Sequence, residues 1–255
     1  MILKKIFNNI NNIREIGLFE WINFKYDVYS SKKEERIGYL RKEIIQAKEQ
    51  NIDVRDFYMS KLSKFHASEI DFLENISDII NKLIGDKFYI VEIGTGCGLI
   101  TFPIINNSKN LKKYDSYEPD RSLRKYLSKA FDKSKIFSNF KGDGSILNET
   151  KENSADLVVA YGVFSLIPIA QVFNYISESK RVLKENGFIA FDIFDTDSLS
   201  DELIDKFILQ ASRNDSRPYI SRNFFLKLML HQGFKLEKEF RHKNEYKLFL
   251  VFRKV

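Results

Sequence analysis

Residues 91–98 read Val91-Glu92-Ile93-Gly94-Thr95-Gly96-Cys97-Gly98, preceded by Phe88-Tyr89-Ile90 and followed by Leu99-Ile100-Thr101-Phe102. An apolar run, a glycine cluster and a second apolar run read as strand, turn and helix. Glycine lets such a turn take up backbone conformations closed to other residues and pass close to a ligand. The N–H groups that open the helix then point at that ligand. Spacing narrows its identity. A pyrophosphate-binding turn is G-x-G-x-x-G, whereas here the glycines fall at 94, 96 and 98 and position 99 is Leu.

Working outward, the period changes at Gly85. Before it the pattern is helical: Ile2, Ile6, Ile10 and Ile13, then Phe19 and Ile22, recur at three- and four-residue spacings. Further helices are expected over Lys33–Gln50 and Ser68–Leu83, the latter with Gly85 as its C-cap. After Gly85 short apolar strands alternate with helices, which signals an α/β fold with a parallel sheet. Strands are placed near 88–93, 114–118, 136–140, 156–161 and 188–194, with helices near 98–107, 120–131 and 168–184. Asp197 or Ser198 can cap another helix running to about Ser212, and Ser221 one over Arg222–His231 closed by Gly233. The chain closes with two strand-like runs, Phe234–Phe240 and Tyr246–Arg253, whose short connection forces them antiparallel.

Composition bounds the rest. The chain of 255 residues, 44% of them apolar, can bury a substantial core. Cys97, in the glycine turn, is the one cysteine, so no internal disulfide is expected and a reducing compartment is the natural reading. No apolar run approaches the roughly 18 residues of a membrane span. The N-terminus is broken by Asn8, Asn9, Asn11, Asn12, Arg14 and Glu15, unlike a signal peptide. A cytoplasmic protein with no membrane partner is expected. The net charge is +6, and residues 1–80 hold equal numbers of basic and acidic side chains, so the excess lies in 81–255. That bias suits an anionic small-molecule acceptor, although a lysine-rich solvated surface explains it equally well. No nucleic-acid recognition signature is present, so no such partner is expected.

The pattern E-x-G-x-G-x-G (Glu92, Gly94, Gly96, Gly98) closely resembles that of class I, Rossmann-like S-adenosylmethionine-dependent methyltransferases. The resemblance covers about residues 68–255 and implies a doubly wound, seven-stranded mixed sheet with an antiparallel last strand. Residues 1–67 then form a helical N-terminal extension, a lid or a dimer contact, before a catalytic domain over 68–255. Each strand end has its counterpart in the family. Glu92 would support the amino-acid end of the cofactor, and the backbone of Gly94, Thr95, Gly96, Cys97 and Gly98 would pass its methionine and ribose portions. Glu118, 20 residues past Gly98, would accept from the ribose hydroxyls. Asp143, followed by Gly144, would accept from the adenine amino group, although a Gly-Asp-Gly turn needs no ligand to explain it. Arg181-Val182-Leu183-Lys184-Glu185-Asn186-Gly187 resembles the family's R-V-L-K-P-G-G turn, departing from it at Glu185 and Asn186. The implied cofactor is S-adenosylmethionine, with S-adenosylhomocysteine as product.

Methyl transfer from a sulfonium is a displacement that depends on alignment. Faces of Tyr161 or Phe164 can favour the cation, though Phe164 fits a core equally well. An oxygen acceptor also needs a route for its proton. Many relatives carry a histidine after the fourth strand, where this chain has Phe164-Ser165-Leu166. The candidates left are Asp195, His66 and Tyr161, in that order. Asp192 and Asp197 flank the first of them. His231 falls near a helix end, and His242 is expected exposed in the hairpin turn. Arg217, Tyr219 and Arg222 lie where relatives build the acceptor pocket. No N/D-P-P-Y follows the fourth strand, which argues against amide and adenine N-methylation. The lone cysteine excludes a cysteine-nucleophile cytosine methyltransferase, and no metal is expected. The leading expectation is O-methylation of a sugar, nucleotide-linked sugar or phosphorylated metabolite. The rivals are an RNA or protein methyltransferase and a non-catalytic cofactor-binding scaffold.

Overall fold

The computed structural model describes residues 44–65, 67–201, 203–205, 208, 220–243 and 246–255. The chain divides into two compact units, 1–70 and 71–255. In the first, residues 44–49 are helical and precede α1, Val54–Phe65. Asp53 caps α1 by accepting from the backbone N–H of Arg55 at 2.9 Å. Ile44, Ala47, Val54, Phe57 and Leu62 are the buried apolar residues among those described in this part. Residues 1–43, which carry most of the expected N-terminal helices, lie outside the described residues.

α2, Ala67–Leu83, leads towards the sheet. It stops at Leu83 without using Gly85, which is not left-handed; the left-handed residue is Lys87, φ 52°, at the entry to β1. From there the expected alternation unfolds. β1 is Phe88–Ile93, α3 Thr101–Asn107, β2 Leu111–Glu118, α4 Arg121–Ala130, β3 Phe137–Lys141, β4 Ala155–Ala160, α5 Ile169–Val182 and β5 Leu183–Phe194. A short 3-10 turn, Thr196–Ser198, follows. α6 is Arg222–His231, β6 Phe234–Arg241 and β7 Lys247–Lys254. Ser221 does cap α6, accepting from Phe224 N–H, and Gly233 closes it at φ +84°.

The seven strands form one sheet in the order β3-β2-β1-β4-β5-β7-β6. β1 to β5 pair in parallel, and β7 inserts antiparallel between β5 and β6. β1 and β4 are buried along nearly their whole length, as parallel strands covered on both faces must be. The core joins Val91, Val158, Phe164, Phe191, Phe225 and Phe252, among others. Reversal of strand order between β1 and β4 makes the switch point, and the carboxyl ends of the strands there are where such sheets bind ligands.

Two local expectations need correction. β5 starts at Leu183, inside the stretch read as a turn, because Leu183 already pairs with Ala155. The family-like glycine survives as an irregularity in the strand: Asn186 sits at φ 63°, and a Cβ on Gly187 would fall 2.9 Å from Lys184 O. The helix after β5 starts at 201, with Leu203 N–H directed at Ser200 Oγ, instead of at Asp197 or Ser198. Asp195 caps the intervening 3-10 turn.

Candidate active site

The glycine turn has the backbone that its spacing demands. Gly94, Gly96 and Gly98 all occupy the left-handed region, at φ +68°, +60° and +84°, where any other residue is strained by about 1 kcal/mol or more. The three have different neighbours. A Cβ on Gly94 would lie 2.4 Å from Val163 Cγ2, and one on Gly98 2.8 Å from Phe102 Cδ2. At Gly96 the nearest atom would be Gly94 O at 4.0 Å, so that position faces open space. Gly94 and Gly98 are thus required by packing, and Gly96 leaves a cradle that a side chain would fill.

Side chains from β1 and β2 hold the turn. Thr95 Oγ1 and Ser116 Oγ share a buried hydrogen bond of 2.7 Å. Gly94 N–H donates to Tyr117 O, continuing the β1–β2 ladder past the strand end. Glu118 Oε2 accepts from Gly96 N–H at 2.7 Å, and its Oε1 from Asp120 N–H at 2.8 Å. A carboxylate offers about four lone-pair positions, so two further donors can still be received. Cys97 is buried, and its side chain contributes to packing.

Glu92 lies deeper. Its Oε2 accepts from Thr101 Oγ1 at 2.6 Å and Tyr114 Oη at 2.7 Å. Burial pushes both acids upward, Glu92 to about 7 and Glu118 to about 7. For Glu92 the charge of Glu118 adds to the effect; for Glu118 the backbone donors of Asp120 and Gly96 oppose it.

Asp143 follows the β3 end, exposed, with Oδ1 accepting from the N–H groups of Ser145 and Ile146 at 2.8 Å each. Despite some burial, these bonds hold its carboxyl below the usual range. Both fall on Oδ1, so Oδ2 is not used by them. Gly144 is left-handed at φ +94° beside Gln171. The loop is pinned from α5: Glu178 accepts from Leu147 N–H, and Arg181 donates to the carbonyls of Leu147 and Thr150. This bracket was invisible in sequence, where Arg181 read only as part of a turn.

The fourth strand end supplies the other wall. Tyr161 follows β4, half-buried, and its Oη accepts from Lys247 Nζ at 2.9 Å. Asp192 is fully buried; Gly162 N–H donates to its Oδ1 and Ser165 Oγ to its Oδ2. Phe164 proves to be core, 0% exposed and 4.9 Å from Phe191 between ring centroids. Lys247 was missed in sequence. Its signal was a lysine opening the otherwise apolar run Leu248-Phe249-Leu250-Val251-Phe252.

The remaining candidates divide. Asp195 is 2% exposed and pairs with Arg241 at 2.9 Å, while accepting from Ser198 Oγ and from the N–H groups of Asp197 and Arg222. Burial works to raise its carboxyl, but the donors of Arg222, Arg241 and Ser198 hold it below the usual range. Such a group is a junction between β5, α6 and β6, poorly disposed to take a proton. Arg222 pairs with Glu239 at 2.6 Å. His66, Arg217 and Tyr219 lie outside the described residues. His242, expected exposed, is 3% exposed with its ring edge-on to Phe72 at 5.0 Å, because its N–H pairs with Lys247 O and draws it into the sheet. His231 is exposed at the end of α6. Among the described residues no group of three or more His, Cys, Asp and Glu is arranged to hold a metal ion. No helix among them is long and apolar enough to cross a membrane.

The open cradle at Gly96 and the lone pairs left on Glu118 leave room and acceptors for a hydroxyl-bearing group. Comparisons with known proteins identify the family. A family model described as a methyltransferase domain matches residues 58–239, more than half of the chain. No curated protein matches the sequence significantly. Among solved structures, an O-methyltransferase family protein from Burkholderia thailandensis has TM-score 0.63 and 12% identity, covering 95% of this chain and 71% of its own. The pyocyanin biosynthetic protein PhzM has TM-score 0.57 and 14% identity over 80% of this chain, which spans 59% of PhzM's length. The [4+2]-cyclase SpnF is also similar, with TM-score 0.53 and 10% identity over 71% of this chain and 80% of SpnF. At these identities the likeness is one of fold. The family match over 58–239, which contains the glycine turn, places the chain in the methyltransferase-domain family, as an S-adenosylmethionine-dependent methyltransferase.

Proposed function

We propose that the protein transfers a methyl group to a hydroxyl oxygen of a small polar acceptor: a sugar, a nucleotide-linked sugar or a phosphorylated metabolite. When bound, S-adenosylmethionine supplies a methyl carbon on a positively charged sulfur. Glu92, the turn backbone from Gly94 to Gly98, Glu118 and Asp143 are the residues proposed to hold it. The observation that carries the oxygen assignment is Tyr161. Its phenolic oxygen stands at the carboxyl end of β4, next to the segment whose Val163 packs on Gly94. A hydrogen-bonding oxygen there suits an acceptor that must be oriented and relieved of a proton. The O-methyltransferase name of the Burkholderia thailandensis relative agrees in kind. His66, Arg217 and Tyr219 remain proposed contributors to the acceptor side, and Asp195 is proposed to shape it by fixing Arg222 and Arg241 in place. Incubation with methyl-labelled cofactor and a panel of sugars, nucleotide sugars and sugar phosphates tests the reading. Labelled methyl ether should form; label on nitrogen or carbon, or no transfer to any member, would count against it.

An RNA acceptor has one observation in its favour. Residues 109–141 carry ten basic side chains and four acidic ones, and three of the acids, Asp115, Glu118 and Asp120, are buried. That difference matches the entire +6 of the chain, and it lies on β2, α4, β3 and their connections, at the β3 edge of the sheet. Arg121, Lys125 and Lys129 recur every four residues along α4, about 6 Å apart. The surface is on the opposite side of β1 from Tyr161, and the small-acceptor reading does not use it. Steep loss of binding to a single-stranded RNA between 50 and 200 mM salt (roughly a hundredfold or more), removed by reversing Lys125, Lys129 and Lys133, would favour RNA.

A further inference from the structure

Lys247 breaks the pattern of its strand. Alternation puts it on one face of β7 with Phe249 and Val251, both buried, and it is itself 1% exposed. Taking an ammonium out of water costs several kcal/mol unless its surroundings compensate. Asp192, also fully buried, is the nearby acid, yet its Oδ2 lies 3.9 Å from Nζ, beyond hydrogen-bond reach. The two Asp192 oxygens instead receive Gly162 N–H and Ser165 Oγ and so hold the segment after β4. Lys247 Nζ donates a hydrogen bond to Tyr161 Oη at 2.9 Å. Rings complete the enclosure: Nζ is 4.5 Å from the Tyr161 centroid and 5.1 Å from that of Phe72, which stacks on Phe240 at 5.4 Å. Were Lys247 present only to neutralise Asp192, the shorter contact would be to the carboxylate. It is to the phenol.

Topology brings these groups to the ligand edge. Lys247 opens β7 and pairs in register with Phe194, the last residue of β5, while Tyr161 directly follows Ala160 at the end of β4. Both therefore stand at the carboxyl edge of the parallel strands, where a ligand is received.

We propose that Lys247 is a positioning residue for methyl transfer, orienting Tyr161 and supplying the positive charge under which Tyr161 takes the acceptor's proton. The proposal rests on the O-methylation reading above. As the acceptor's O–H bond breaks, its proton passes to the phenolate oxygen of Tyr161. The lone pair left on the acceptor oxygen becomes the new bond to the methyl carbon, and the carbon–sulfur pair stays on sulfur, cancelling its charge. Tyr161, then a neutral phenol, returns the proton to water. A phenolate is stabilised by an ammonium that donates to it, and low local polarity strengthens that bond. Among the described residues, the charged and titratable groups around the phenol include Lys247 from β7, Asp192 from β5, His242 following β6, and the Asp71–Lys243 ion pair next to Phe72 in sequence.

The test reads Tyr161 itself, in the full-length protein without acceptor. Near-ultraviolet phenolate absorbance is followed against pH in wild type, Tyr161→Phe, Lys247→Met, Lys247→Gln and Lys247→Arg. The change missing from Tyr161→Phe isolates this one tyrosine among 12. In Lys247→Met and Lys247→Gln the Tyr161 step should move to higher pH by at least about one unit, a tenfold change, and in Lys247→Arg it should stay near wild type. Melting temperature and S-adenosylhomocysteine affinity report whether each variant is folded. An unmoved step in a folded Lys247→Met or Lys247→Gln variant overturns the proposal. With an acceptor found in the panel, Tyr161→Phe should lower kcat by roughly a hundredfold or more with a smaller change in KM. The double variant with Lys247→Met should be little worse than Tyr161→Phe alone. Normal turnover by Tyr161→Phe overturns the proton-transfer role even if the spectral step has moved. Failure of the O-methylation reading is separate, showing in the wild type alone as the absence of labelled ether.

Discussion

Cofactor binding should release a proton near neutral pH, and Glu118 is the residue that makes this testable. Its carboxyl is 4% exposed and, with burial as the main cause, stands at about 7 in the ligand-free protein against an ordinary 4.5. Donors from a ribose would reach an oxygen pair that already takes Gly96 and Asp120 N–H. Hydrogen bonds to a charged acceptor contribute about 1.5–3 kcal/mol each, enough to hold the bound carboxyl ionised throughout the neutral range. At pH 7 binding should then release about half a proton, rising towards one at pH 6 and falling to about a tenth at pH 8. Affinity for S-adenosylhomocysteine should weaken about tenfold from pH 8 to pH 6. Calorimetry in buffers of different ionisation enthalpy measures the proton directly. 5′-Methylthioadenosine keeps the ribose but lacks the amino-acid end, and so separates Glu118 from Glu92.

The same group sets a stability profile. Because the folded carboxyl holds its proton more tightly than the unfolded one, its contribution is complete below about pH 4.5 and is lost as pH rises through about 7. For Glu118 the loss approaches about 3 kcal/mol in the ligand-free protein, and Glu92 adds a further fall of the same sign over the same interval. Saturating S-adenosylhomocysteine should flatten the profile. A dissociation constant unchanged between pH 6 and 8, with no buffer-dependent heat, would refute the reasoning. It would mean that Glu118 is ionised before binding or does not meet the ribose.

Four substitutions probe the site and the elements that carry it. Gly94→Ala combines left-handed strain with a Cβ 2.4 Å from Val163 Cγ2; it should cost about 2 kcal/mol or more and weaken S-adenosylhomocysteine binding over tenfold. Gly85→Ala, with a Cβ 3.9 Å from Phe88 and no left-handed φ, should be neutral or stabilising by up to about 1 kcal/mol in the same denaturation assay. Asp195→Asn leaves Arg241 and three other donors short of their carboxylate. It should destabilise by about 3 kcal/mol while changing kcat only a few-fold; a folded variant with kcat lowered a hundredfold would reinstate Asp195 as the base. Phe164→Ala should lose about 3–5 kcal/mol in denaturant titrations with cofactor affinity little changed, and a selective loss of S-adenosylmethionine over S-adenosylhomocysteine affinity would instead place its ring against the sulfonium.

What was legible in the sequence was local. The glycine cluster marked the turn between β1 and α3, the change of period at Gly85 anticipated the alternation of strands and helices, and Ser221 and Gly233 marked both ends of α6. What escaped depended on pairing across distance. Lys247 meets Tyr161 over 86 positions, and Arg181 reaches back to Leu147 over 34; no periodicity encodes either contact. His242 read as exposed because a hairpin turn is usually solvated, yet one backbone bond to Lys247 carries it into the aromatic cluster. Net charge shows the same limit most clearly. As a bulk figure, +6 suited an anionic acceptor. Residues 109–141, spanning β2, α4, β3 and their connections, hold an equal excess away from Tyr161, while around the end of β5 Lys247, Arg241 and Arg222 face Asp192, Asp195 and Glu239. The case for a hydroxyl acceptor therefore rests on the phenol and its lysine, and the bulk charge lends it no weight.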